Sequence, residues 1–380
     1  MLKLVHTADV HLGAPLGWLG ERAAVQREQL KRTLTAVVDL AVAEKADCLV
    51  IAGDLFDSQS PPASDVRFAF QECGRFGAET GAAVVILPGS HDHLGPTSVY
   101  ASYRKEFDRT GGVSVLGLDG RQSVDLERCG LSVRGTPPLS NRSSTHQLAG
   151  LRPDPRFSWN VAVAHGSLTT APVAPDDHPV SPDEIAAGGW SYVALGHWHS
   201  WRDVSVGRTK AIYPGAPEVM AVDQSGAGHV AVVELTPEGT NVKKVRVGSR
   251  AVLDLDVDVT GLPGMSAVAD RVRSQAAPDA DTILRLTVSG LAAVDAGLDV
   301  ETLCDDLAPD YFRVLLGGRH YHVRLEESEL EALPERLVVG RFARLMKDRY
   351  EAASGDAERE EIEDALQLGV ALLQGKSVLG

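Results

Sequence analysis

The sequence predicts an α/β fold: a layered α/β domain over residues 1–248, a smaller α+β module over 249–330 and a helical segment over 331–380. Three observations predict it. Continuous apolar runs, such as Leu-Val-Ile-Ala at 49–52, read as strands buried on both faces, as parallel strands are. Those runs alternate with long stretches of helical spacing, giving strand, helix, strand, helix, strand by Leu87. From about residue 250 the pattern changes to apolar residues alternating with acidic ones, as in half-exposed strands.

In order, residues 3–8 form the first strand, which ends at Asp9-Val-His11. Residues 21–45 are a long helix, with Leu30, Leu34, Val37, Val38 and Ala41 spaced to one face. The second strand, 47–52, is ended by Gly53-Asp54. Pro61-Pro62 opens a helix over 64–79, and the third strand, 82–87, runs into Pro88-Gly-Ser-His-Asp92. Short strands and turns fill 113–136, whereas 137–155 and 169–182, rich in proline and polar residues, read as loops. Buried strands at 159–164 and 192–195 end at His165-Gly166 and Gly196-His-Trp-His199. Further short strands lie at 211–213, 229–235 and 242–247. Beyond them, 252–259, 282–288 and 312–316 read as strands, and 265–276 and 300–307 as helices. Two tail helices, 333–350 and 358–373, flank a turn at 353–357.

Composition narrows the function classes. The 380 residues are 44% hydrophobic and 23% charged, ordinary for a soluble globular chain. A net charge of -15 argues against broad non-specific binding to nucleic acid or to an anionic membrane. It does not exclude a nucleic-acid enzyme, because two divalent ions would cancel about four charges at the site itself. Cys48, Cys73, Cys129 and Cys304 are far apart and lack CxxC spacing, which fits free thiols in a reducing cytoplasm. No apolar run is long enough for a transmembrane helix, and the amino terminus, with Lys3 and His6, reads as a strand rather than a signal peptide.

The chemistry sits where the buried strands end. Asp9 and His11, Asp54, Ser90 and His91, His165, and His197 and His199 follow five separate strands, on the edge where α/β sheets collect ligands. A lone histidine after a strand is usually structural. Five such loops together are not explained that way. Asp9-x-His11 and His197-x-His199 each put two ligands within reach of one ion. Mixed carboxylate and imidazole donors suit manganese, iron or zinc better than calcium or magnesium. Two ions about 3.5–4 Å apart need a shared carboxylate, and Asp54 is the natural bridge. His91 is the best-placed general acid for a leaving oxygen.

In order, Asp9-x-His11, Gly53-Asp54-x-x-Asp57, Gly89-x-His91-Asp92, His165 and Gly196-His197-x-His199 resemble the five blocks of the calcineurin-like metallophosphoesterases. The resemblance covers roughly residues 1–245 and implies an α/β/β/α sandwich. Within that superfamily, His-Thr-Ala-Asp-Val-His-Leu-Gly at 6–13, Gly-Asp-Leu-Phe-Asp at 53–57 and Tyr-Pro-Gly-Ala-Pro-Glu at 213–218 look like SbcD- and YhaO-type DNA repair exonuclease subunits. By this resemblance Asp9, His11, Asp54 and His199 would hold one divalent ion, and Asp54, Ser90, His165 and His197 the other, manganese being the first choice. His91 would protonate the leaving oxygen, and Asp57 would orient His91; the plainer reading of Asp57 is a turn or capping carboxylate. The module after 250 would be a capping domain that helps position DNA. The partners implied are DNA and an SMC-like coiled-coil ATPase, with room for a homodimer and no membrane.

One position departs from the pattern: the family has Asn where this chain has Ser90. A serine hydroxyl is shorter and a weaker donor. It leaves three readings: a weakened second ion site held directly or through water, a loop shifted to compensate, or a largely non-catalytic interaction subunit. A small-molecule phosphodiesterase or phosphatase is the rival within enzymes, favoured by the acidic balance and opposed by the extra module. His93, His320 and His322 are expected on the surface. Trp198 and Trp201 either stack on an unpaired base or pack beneath the site. Arg341, Arg344 and Lys347 share a helix face that is solvated or phosphate-facing. The tail stripes, Leu337, Phe342, Leu345 and Met346, then Ile362, Leu366, Val370 and Leu373, are either core or a groove for the ATPase coil.

Overall fold

A computed structural model describes residues 1–170, 174–292, 297–325 and 327–375. Part of the expected 169–182 loop, single stretches of the expected module at 249–330, and the end of the tail segment lie outside the described residues. The chain forms two compact units, Met1–Ala251 and Val252–Gly380.

In the first unit the elements are β1 (Leu2–Thr7), α1 (Ala23–Ala43), β2 (Cys48–Ala52), α2 (Ala63–Thr80), β3 (Ala83–Leu87), α3 (Val99–Ser102), α4 (Arg104–Thr110), β4 (Val113–Val115), β5 (Ser123–Leu126), β6 (Leu131–Arg134), β7 (Trp159–His165), α5 (Pro182–Ala187), β8 (Tyr192–Gly196), β9 (Arg202–Asp203), β10 (Lys210–Tyr213), β11 (His229–Thr236) and β12 (Gly239–Arg246). Two six-stranded sheets result, ordered β12-β11-β1-β2-β3-β4 and β5-β6-β7-β8-β10-β9. Each has a parallel centre: β1 to β4 in one, and β6, β7, β8 and β10 in the other. Antiparallel strands close both edges of the second sheet, while β11 and β12 extend one edge of the first.

The strands read as unbroken apolar runs because both faces are covered. Leu4, Val50, Val85, Val133, Val161, Val163, Ala194 and Val233 form one dry core between the sheets. The alternate residues Val5, Leu49, Ile51, Val84 and Ile86 are also fully buried, on the side where α1 and α2 pack against β1 and β3. On the second sheet Ala162, Ala164, Val193, Leu195, Ala211 and Tyr213 pack under Ile185 of α5 and under Leu148, Leu151 and Trp190. The architecture is the layered α/β/β/α sandwich expected. The helices α3, α4 and α5 and the short strand β9 were not expected; at two to seven residues they are too short to show a period.

The second unit contains β13 (Ala251–Asp258, opening at the last residue of the first unit), α6 (Met265–Gln275), β14 (Asp279–Ala292), α7 (Val300–Leu307), β15 (Tyr311–Val323), α8 (Glu327–Glu331), α9 (Val338–Ala352) and α10 (Asp356–Leu373). Its sheet runs β13-β14-β15, with β14 and β15 parallel around the crossover helix α7. Val268, Val272, Leu303 and Leu307 of the helices pack on Leu284, Leu286 and Val288. The strand β15 is far longer than the expected 312–316. Gly317-Gly318 reads as a stop but is a bulge: Leu286 pairs with Leu316 and Thr287 with Gly318, so Gly317 is the extra residue and the ladder resumes. The tail stripe divides. Phe342, Met346, Ile362, Leu366 and Val370 form a small core, whereas Leu337, Leu345 and Leu373 are about half exposed.

Candidate active site

The two sheets meet closely at the carboxyl ends of β1, β2, β7 and β8. A side chain on Gly196 would strike the Ala52 carbonyl, at 1.8 Å from its Cβ. Gly53 has φ of +94°, and a Cβ there would fall 2.0 Å from the His165 ring. Only glycine therefore lets β2 turn beside His165. Four of the expected site residues also sit in left-handed backbone: Asp9 (φ 55°), His11 (φ 49°), Asp54 (φ 50°) and His197 (φ 105°). Non-glycine residues held this way cost on the order of 1–3 kcal/mol each and cluster at functional sites. Backbone bonds hold the bends, from Asp9 N–H to the Gly53 carbonyl at 3.0 Å and from His11 N–H to the Asp54 carbonyl at 3.0 Å. The His197 N–H donates to both oxygens of Asp9, each at 3.0 Å.

Among the described residues three groups could hold a metal ion: His11 with Asp57 and His91, and the two built by these strand ends, Asp9 with His11 and His199 and Asp54 with His165 and His197. Asp54 Oδ2 lies between them, 3.7 Å from His11 Nε2 and 3.2 Å from His165 Nε2. The other Asp54 oxygen accepts from the His91 N–H at 2.8 Å. Ser90 Oγ lies 3.3 Å from Asp54 Oδ2 and 3.5 Å from His165 Nε2, so the serine does reach the second group. His11 Nε2 is buried and has no hydrogen-bond partner among the described residues. A buried imidazole nitrogen 3.7 Å from a carboxylate, and with no hydrogen-bond partner, fits a cation there.

Each ring is fixed by its second nitrogen, as metal-binding imidazoles are. His11 Nδ1–H donates to Asp57 Oδ1 at 2.9 Å. His165 Nδ1–H donates to the Ala52 carbonyl at 2.9 Å. His197 turns the other way, with Nε2 against Asp177 Oδ2 at 3.1 Å and Nδ1 toward the His165 ring. His199 Nδ1 meets Gln224.

Asp57 differs from its expected part. Its carboxylate bonds His11 and lies 3.9 Å from His91 Nδ1; the Asp57 backbone carbonyl, at 3.0 Å, holds His91. Reach explains this: His11 stands on the neighbouring loop directly beside the carboxylate, with its ring 4.8 Å from that of His91. His91 itself is half exposed.

Asp177 and Gln224 are supporting residues that sequence reasoning did not single out, and Asp92 stood in the third motif block without a role. Asp92 is buried, accepting from Tyr100 OH at 2.6 Å, Gly89 N–H at 2.7 Å and Phe56 N–H at 3.1 Å, and so ties the Ser90–His91 loop to the Asp54 loop. Asp177 also accepts from Ser167 Oγ, which in turn accepts from Trp198 Nε1 at 3.0 Å. Trp198 stacks on Tyr213 at 4.7 Å and lies under the Arg202 guanidinium at 4.3 Å, so it packs beneath the site.

Electrostatics follow the geometry. Burial alone would raise the Asp54 carboxyl, but His165 and His11 hold it well below the usual carboxylate range. Burial would lower His165, yet Asp54 and Asp9 push it up to about 9; His11 is raised in the same way, with Asp57 contributing. His199, with burial dominant over the pull of Asp9, is lowered to about 4. The bond from His197 holds Asp177 well below its ordinary value against burial. A cluster of ionised carboxylates thus favours positive charge at its centre, and protons and metal ions compete for the same imidazoles.

The model of the calcineurin-like phosphoesterase family matches residues 2–201. The chain is 30% identical over 271 residues to the DNA double-strand break repair protein Mre11 of Aeropyrum pernix, covering 68% of this chain and 64% of that protein. It is 24% identical over 288 residues to the metallophosphoesterase YhaO of Bacillus subtilis, covering 71% and 66%. To the SbcD component of the nuclease SbcCD of Bacillus subtilis it is 23% identical over 274 residues, covering 62% and 67%. The chain thus spans just under two thirds of the first two of these relatives. Since the family match runs from β1 through His199, across every strand end that supplies the cluster, the chain belongs to the calcineurin-like phosphoesterases.

Proposed function

We propose that this chain is a two-metal phosphodiesterase that hydrolyses DNA from an end, working as the nuclease subunit of an SMC-like coiled-coil ATPase. The observation that carries the chemistry is the position of Asp54 Oδ2 between the two donor groups. In this reading Asp9, His11, Asp54 and His199 hold one ion, and Asp54, Ser90, His165 and His197 the other. The bound ions, with manganese the first choice and iron or zinc the alternatives, would polarise a phosphate and lower the pKa of a water. His91 delivers a proton from Nε2 to the leaving oxygen, while its Nδ1–H stays on the Asp57 carbonyl. Asp57, Asp177 and the Ala52 carbonyl keep three imidazoles turned toward the ions.

The relative named for DNA double-strand break repair supports DNA as substrate, and the one named as a subunit of the nuclease SbcCD supports a partner subunit. So does the division proposed for the second unit, a capping module at 249–330 and a tail segment at 331–380, whose exposed Leu337, Val338 and Leu345 offer an apolar surface. Arg344 and Lys347, by contrast, already pair with Glu335, Glu327 and Glu331. The protein is read as cytoplasmic; among the described residues no helix is long and apolar enough to cross a membrane.

Purified protein incubated with manganese should release nucleotides from linear DNA faster than it cleaves a small nucleotide diester. Cleavage of the diester alone would reassign the chain to small-molecule chemistry. A second reading, an interaction subunit with a crippled site, rests on Ser90, whose hydroxyl is a weaker donor than the amide it replaces. It predicts fewer than two ions per chain at saturating manganese.

A further inference from the structure

Gln224 differs from the other supports of the centre. His11, His165 and His197 each meet an acceptor oxygen at the nitrogen facing away from the cluster, from Asp57, Ala52 and Asp177. Each of these rings therefore carries its proton on the outside and keeps a lone pair for an ion. His199 meets an amide. The orientation of that amide is fixed, because Gln224 Oε1 accepts from the backbone N–H groups of Met220 at 3.1 Å and Ala221 at 3.2 Å. Turning it over would set an NH2 group against two N–H donors. The Gln224 NH2 therefore faces His199 Nδ1, at 2.5 Å. An amide N–H at that distance uses the Nδ1 lone pair, and the ring's one proton must then sit on Nε2. That nitrogen faces Asp9, 3.9 Å from Oδ1. It is also the nitrogen that a metal would need bare.

We propose that Gln224 is a positioning residue that holds His199 as its Nε2–H tautomer and so opposes metal coordination through that nitrogen. The proposal rests on the two-metal reading above. For Nε2 to offer a lone pair, the proton must move to Nδ1 and Gln224 must turn its oxygen to the ring, giving up the Met220 and Ala221 bonds. A glutamate in its place has an acceptor for each: one oxygen for the two backbone N–H groups and one for His199 Nδ1–H. The ion at Asp9, His11 and His199 is thus restrained by its surroundings, although its own donors are complete.

The first test is the tautomer of His199 in the metal-free protein, read from nitrogen–proton correlations of labelled histidine. The Nε2–H form is expected in the wild type and the Nδ1–H form in Gln224→Glu. The Nδ1–H form in the wild type would overturn the proposal. The second test is calorimetric titration of manganese(II) into both metal-free proteins, where Gln224→Glu should bind one ion about tenfold more tightly. Equal affinity would also overturn it. Wild type that takes up no manganese at all would instead defeat the two-metal reading, while the tautomer spectra would still decide the part played by Gln224.

Discussion

The two halves of the centre are built from the same materials and differ in what completes them. Asp9, His11 and His199 form a half whose donors, with the shared Asp54, are all of the expected kind; its weak point lies behind it, at Gln224. Asp54, His165 and His197 form a half whose supports, the Ala52 carbonyl and Asp177, both accept. Its weak point lies in front, where Ser90 offers a short hydroxyl. The same effect, a looser ion, can thus enter through a ligand or through the group behind a ligand. Asp54, shared by both, is where the halves are coupled.

The largest change should come from removing that coupling. Asp54→Asn keeps the shape but takes away the charge at Oδ2. Metal content should fall in both halves together, and the rate should drop by more than the about 100-fold expected of any supporting residue. Loss of one ion with the other retained, measured by elemental analysis, would show that the halves are independent. Next come the supports. Asp57→Asn and Asp177→Asn should each cost about 10–100-fold in metal affinity or rate, Asp57→Asn through His11 and Asp177→Asn through His197. If Asp57→Asn left manganese affinity intact and slowed only the turnover, its carboxylate would be serving His91 after all.

Ser90→Asn is a gain expected on the weaker half. An amide oxygen reaches further than Ser90 Oγ, which already sits 3.3 Å from Asp54 Oδ2 and 3.5 Å from His165 Nε2. The variant should tighten the second ion about tenfold and raise turnover at limiting manganese. Unchanged stoichiometry and rate would mean that the loop has already adjusted to serine.

How legible each half was in the sequence has a physical reason. Asp9, His11, Asp54, Ser90, His91, His165, His197 and His199 were all visible, because a buried parallel strand leaves an unmistakable apolar run and its end is a fixed place. The layered α/β architecture followed from the same runs, and the α/β/β/α sandwich from the family resemblance. Asp and His also tolerate left-handed backbone better than most residues, which suits the strained turns they occupy. The supports were not visible. Asp177 and Gln224 lie in irregular segments with no period, and their partners are 20 and 25 residues away. The Asp57 carboxylate was legible as a residue but not as a contact, since only the folded loops decide whether His11 or His91 stands nearer. In the second unit, Gly317 concealed the length of β15 because a bulge and a strand end use the same residue.

The smallest expected effect separates the scaffold from both halves. His6 is fully buried in β1, with Nδ1 2.8 Å from Tyr192 OH, and burial lowers its pKa from 6.5 to about 3. A histidine depressed in the folded state is neutral there, so its contribution is complete above about pH 6.5. It is lost as pH falls from 6.5 toward 3, because the unfolded chain takes up the proton first. The slope is at most about 1.4 kcal/mol per pH unit. In chelator-treated protein, where loss of metal cannot contribute, urea unfolding at pH 7.5 and 5.5 should show stability falling toward acid by more in the wild type than in His6→Gln, the difference between the two slopes being at most this value. Equal slopes would place the pH dependence in the centre itself, on His199, whose lowered pKa acts in the same sense as that of His6, and on His11 and His165, whose raised pKa values act in the opposite sense and make the metal-free fold lose stability as pH rises.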